Sequence, residues 1–148
     1  MFQLALPFVA VILVGIGIAI ETPTNALLMK QMNSAVVASL ASFVVGTLTL
    51  AVTALVMRPK LADGFVASTP GYAWTGGLYG GFVVLASAWA TPRLGAGTTL
   101  VVIVAAQVAV GVLLDQLGWL GLEQHPASWL RLAGVAFVVV GAVLVARG

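Results

Sequence analysis

Four polar side chains lie inside otherwise apolar stretches, and their types and spacing allow chemistry. Leu4 to Ile20 holds no charged residue, and the run that follows it is Glu21-Thr22-Pro23-Thr24-Asn25. A carboxylate in hydrocarbon is costly to keep charged and unpaired, so at depth it takes up a proton or a cation. Asn25 follows one helical turn later and shares its face. Gln107, Gly111 and Asp115 recur every four residues and share another helical face. The Gln107 amide suits a hydrogen bond to another helix or to a ligand. Asp115, close to the end of its run, suits either a transport role or a local pair with Arg131.

No catalytic set accompanies these residues. There is no His/Ser/Asp grouping, no glycine loop ahead of a lysine and no metal-ligand spacing. His125 is the single histidine and cysteine is absent, which excludes multi-histidine and thiolate metal sites and any disulfide framework. The expectation is a chain that is not an enzyme and takes no cofactor or metal. The formal charge of +2 is scattered, so nothing points to nucleic acid.

The elements that position the polar residues follow from composition. Of 148 residues, 61% are hydrophobic and 7% are charged. A soluble domain has about 25% charged residues, so the expected class is an all-α membrane protein. At 1.5 Å per residue, about 20 apolar residues cross a hydrocarbon core of roughly 30 Å. Five runs qualify as spans: residues 4–29, 35–57, 72–90, 94–115 and 127–146, in a single transmembrane domain 1–148. The first is read as a span rather than a signal peptide, because no Lys or Arg precedes it and no small-residue cleavage pattern follows. Trp74, Trp89, Trp119 and Trp129 fall near the expected helix ends, as in an interfacial aromatic belt, although core filling is the alternative for each.

Pro23 frees the carbonyl of Ala19, so the first helix is expected to kink or open there. The depth of Glu21 has two readings. Measured from Lys30 as an interfacial anchor it lies about 13 Å in, near the midplane; measured from Leu4 it lies about 26 Å along, near the far boundary. The deep position makes it an ion site, and the shallow one an ordinary interfacial carboxylate.

Five spans place Arg58, Lys60 and Arg131 on one side and Lys30, Arg93 and Arg147 on the other. The positive-inside rule needs an asymmetry that this distribution lacks. Either orientation is then expected to insert, and two copies to pair as an inverted homodimer, against the alternative of one orientation set by a subtler bias. Small residues supply packing surfaces in three spans. Ser39, Ser42, Gly46, Thr49 and Thr53 form a stripe in the second. Gly76-Gly77 and Gly80-Gly81 lie in the third, where packing explains them better than phosphate binding, and Gly134 and Gly141 share a face of the fifth. At least one stripe is expected between subunits.

An ordered set of segments resembles a known family. Asn25-Ala26-Leu27 is similar to the end of its first span, and Ser42-Phe43-Val44-Val45-Gly46-Thr47-Leu48 to its second-span signature. Gly76-Gly77-Leu78-Tyr79-Gly80 resembles the opening of its third span, and Pro92-Arg93-Leu94-Gly95-Ala96 its 3–4 turn. Gln107 with Leu114-Asp115-Gln116-Leu117-Gly118, and Arg131-Leu132-Ala133-Gly134 through Gly141, resemble its last two spans. The family is the YdcZ type, five-helix members of the drug/metabolite transporter superfamily, which also contains the small multidrug exporters. The resemblance implies a half-transporter that works as an antiparallel, dual-topology dimer. Glu21 resembles the first-span glutamate that binds protons and cationic substrates in the multidrug exporters, and Gly134 with Gly141 their last-span glycine pair. At the position of Glu21 the YdcZ-type pattern more often has a neutral Gln, so the glutamate's implied role comes from the multidrug exporters alone.

The expected function is a secondary transporter of the cell (inner) membrane that moves a small organic solute by alternating access. Glu21 would hold a proton or cation, Asn25 and Gln107 would orient the solute, and the partners are the bilayer, an inverted copy, the solute and protons. The alternatives are a dual-topology channel lined by Thr, Gly and backbone carbonyls, and a non-transporting membrane subunit.

Overall fold

Long runs of Leu, Val, Ile and Ala with few internal breaks become helices in lipid because only a helix satisfies its own backbone hydrogen bonds within one segment. A computed structural model of the chain describes residues 2–148, with side chains from Leu6 onward; the Leu4 side chain, at the expected start of the first span, lies outside the described residues. The described elements are helices α1 (Phe2–Met32), α2 (Ala35–Met57), α3 (Phe65–Ser68), α4 (Gly76–Leu94), α5 (Ala96–Leu117) and α6 (Trp129–Arg147), with 3-10 turns at Gly71–Thr75 and Trp119–Gly121. The protein is all-helical among the described residues.

Among the described residues, four helices are long and apolar enough to cross a membrane: Leu6–Met32 of α1, Ala35–Met57, Ala96–Leu117 and Trp129–Arg147. Helix α4 has 19 residues, but its four glycines, Pro92 and Arg93 dilute its apolarity. On all four long helices large side chains face outward, among them Leu6, Ile12, Val45, Leu55, Val104, Leu113, Phe137 and Leu144. Such continuous apolar surface is untenable in water and is solvated by acyl chains in a bilayer.

The chain forms two compact units, Met1–Ala90 and Thr91–Gly148. In the first, α1 packs against α2. The turn between them is Asn33-Ser34. Asn33 takes a positive φ of 52°, which asparagine tolerates better than most residues. The Ser34 hydroxyl caps α2 by accepting from the Val37 N–H at 3.3 Å. The packed faces are small and polar: Thr22, Asn25 and Ala26 on α1, Ala38 and Ser39 on α2. Where α4 approaches α2, a Cβ on Gly80 would stand 3.4 Å from the Phe43 ring. Gly76, Gly77 and Gly81 have open space beside them.

Of the two expectations at Pro23, a kink or an opening, the opening does not occur: α1 is continuous from Phe2 to Met32. The hydroxyls of Thr22 and Thr24, on either side of the proline, donate to the carbonyls of Ile18 at 2.9 Å and Ile20 at 2.8 Å. Neither bonds the Ala19 carbonyl that Pro23 frees, and hydroxyl bonds of this i−4 kind tend to bend a helix. Pro92 also lies inside a helix rather than in a turn. The break between α4 and α5 falls instead at Gly95, whose φ of +81° suits glycine.

In the second unit, α5 packs against α6. On α6 the more covered residues are Arg131, Val135, Val138, Gly141 and Ala142. Gly134 and Gly141 have open space where a Cβ would stand.

Candidate functional site

The α1–α2 contact draws three polar side chains into one chain of hydrogen bonds. Glu21 and Asn25 are four apart on α1, and the Asn25 Nδ2 donates to Glu21 Oε1 at 3.2 Å. The Ser42 hydroxyl on α2 donates to the Asn25 Oδ1. Asn25 is 3% exposed, so its amide is anchored between the helices, whereas the residue it orients, Glu21, is exposed. Glu21 Oε2 receives no hydrogen bond from the described residues. The carboxylate is thus held by one oxygen and left open at the other.

Glu21 lines a cavity of about 230 Å³ with Ser42, Phe43, Gly46, Thr47, Leu50 and Val84. The small-residue stripe of α2 explains the opening. Ser39 is buried and Ser42 partly covered against α1, but Gly46, Thr49 and Thr53 are exposed. The stripe packs at its N-terminal end and borders open space beyond it. Its hydroxyls at Thr49 and Thr53 donate to their own helix, at 2.9 Å to Val45 and 2.8 Å to Thr49. One carboxylate, two hydroxyls and an apolar wall suit a site for a proton or cation together with a partly apolar solute.

The structure brings Glu21 and Asn25 together, and the Asn25 amide bonds both Glu21 and Ser42. Ser42 was read for its size alone; its hydroxyl is a hydrogen-bond donor in the site. Sequence spacing shows Glu21 with Asn25 but not Ser42, which joins from the other helix.

Gln107 and Asp115 lie in the second unit. Asp115 takes the local pairing: its Oδ2 accepts from Arg131 Nη2. A clasp surrounds that pair. The His125 N–H donates to the Asp115 carbonyl at 2.8 Å, and Arg131 Nη1 donates to the His125 carbonyl at 3.2 Å. Gln124 Nε2 donates to the Gln116 carbonyl at 2.8 Å, and the Ala127 N–H to Gln116 Oε1. The 118–128 connection is thereby folded back on the end of α5, above an apolar cleft of about 210 Å³ lined by Ala109, Val112, Leu113, Gln116, Ala127, Leu132 and Val135. Gln107 is exposed on α5 and makes no hydrogen bond with the described residues.

The comparison with known proteins places the chain. The family model described as "Putative inner membrane exporter, YdcZ" matches residues 6–144. The chain belongs to the YdcZ family. The "Inner membrane protein YdcZ" of Escherichia coli (strain K12) is 32% identical over 136 residues, 90% of this chain and 89% of that protein. No solved structure matches the chain. As a YdcZ-family member with several apolar helices, the protein is a multi-pass protein of the inner membrane.

Proposed function

We propose that the chain is one subunit of a secondary-active exporter, an inverted homodimer that moves a small organic solute out of the cell by alternating access in exchange for protons at Glu21. The observation that carries this reading is the Glu21 carboxylate. It is held through one oxygen by the Asn25–Ser42 relay and borders the cavity of the first unit. With Met32 taken as the boundary, Glu21 lies eleven positions before it, about 16 Å of helix, a depth near the middle of a core roughly 30 Å thick. A proton and a cationic or polar solute group then compete for one carboxylate, which is what exchange requires.

The exporter description of the family supports transport over catalysis. Helix α4 completes five spans in this reading, since its 19 residues reach about 28 Å. The open glycine face of Gly134 and Gly141 on α6 supports a partner in the membrane. The test is flux in proteoliposomes under an imposed proton gradient. Glu21→Gln should abolish proton-driven export while leaving the dimer intact. Unchanged coupling in that variant would remove Glu21 as the ion site.

A further inference from the structure

Gln107 is the one side-chain amide in the interior of α5, and its placement is specific. Eleven residues of the helix precede it and ten follow. The helix is about 33 Å long, so its midpoint lies about 15 Å from either boundary, beyond the reach of water and headgroups. There the amide presents two donor hydrogens and an acceptor. It is exposed, and no described residue hydrogen-bonds it. Hydrocarbon offers nothing in exchange, so the amide requires a partner outside α5 and α6.

We propose that Gln107 pairs with the Gln107 of a second, inverted copy of this chain, with α5 facing α5; this rests on the inverted-dimer reading above. Two features select that occupant. A primary amide is self-complementary, because each N–H can donate to the other carbonyl and close a pair of hydrogen bonds. Two copies related by an axis in the membrane midplane bring residues of equal depth together, and Gln107 is the residue at that depth. The flanking register then follows, with residue 107 − n meeting residue 107 + n. Val104 meets Val110, both about half exposed. Ile103 meets Gly111, a large side chain opposite a small one. Gly111 belongs to a shallow depression around Gln107 lined by Ala106, Val110 and Leu114, into which a side chain of the second copy fits.

The chain has no cysteine, so single cysteines report contacts without background. Full-length chains carrying Gln107→Cys, Val104→Cys or Val110→Cys are expressed singly and in pairs, then oxidised in the membrane. The expected products are 107–107 and 104–110 disulfide dimers. The 104–110 pair keeps Gln107 and therefore reports the register even where removing the amide weakens the dimer. Gln107→Ala should raise the dimer dissociation constant roughly 5–10-fold, the loss of two intramembrane hydrogen bonds, with Gln107→Asn recovering part of it. A dimer by mass that forms neither bond would overturn the Gln107 contact and leave the exporter reading standing. Bonds at 104–104 and 110–110 would show copies facing the same way and would overturn the inverted dimer as well.

Discussion

At the scale of single residues the account rests on a short polar relay. Asn25 is the hinge of that relay, because it is the only member that bonds both neighbours. Asn25→Ala leaves Ser42 without its acceptor and Glu21 without its donor. Intramembrane hydrogen bonds are worth about 0.6 kcal/mol each and at most about 1.7, so the variant should fold, lose about 1–2 kcal/mol in a denaturation series and export poorly. Ser42→Ala removes one bond and should cost about half as much. A stability loss without any change in flux would make the relay a packing feature only. The Glu21–Asn25 part of the site was legible in sequence because both residues lie on one helix, where a spacing of four fixes a shared face. Ser42 was not, since its contact depends on how α1 crosses α2, and local periodicity does not encode that. Asp115 shows the same limit: its spacing with Gln107 was readable, but its engagement by Arg131 depends on how the 118–128 connection folds back.

At the scale of elements, the clasp and the proline-containing helix make separate predictions. The Asp115 and Arg131 side chains are 30% and 37% exposed, so their pair is partly screened. Arg131→Gln should cost about 1 kcal/mol in a double-mutant cycle with Asp115→Asn. A flux defect far exceeding that loss would give Asp115 a transport role besides the pair. Gly118 ends α5 at a φ of +62°, and a Cβ there would stand 3.3 Å from the Gln124 Cβ. Gly118→Ala should therefore destabilise by about 1 kcal/mol or more, from the positive φ and the crowding together. The helical class was legible from apolar run length alone. Helix α1 is continuous at Pro23, because losing one N–H removes one rung of the ladder while the neighbouring rungs can still form. The helix break at Gly95 rather than at Pro92 reflects backbone conformation. Proline is accommodated in the last turn of α4, whereas a positive φ is met most easily by glycine.

At the scale of the molecule, orientation depends on whether α4 crosses the bilayer. With five spans, Arg58, Lys60 and Arg131 stand against Lys30, Arg93 and Arg147, and no bias remains. With the four most apolar helices alone, Arg58, Lys60, Arg93 and Arg147 would share one side against Lys30 and Arg131, and the positive-inside rule would select one orientation. The inverted dimer, the exchange mechanism and the α5 pairing all follow from the balanced case. Adding two lysines beside Arg58 should shift a mixed population toward one orientation and reduce export, and supplying a second chain biased the opposite way should recover it.

The direct measurement is the sidedness of both ends in intact cells, read with reporters fused separately to the N- and C-termini. Five spans inserted either way up predict that each terminus is found on both sides of the membrane, in comparable amounts. Both termini confined to one common side would mean four spans and a single orientation, and would contradict the account.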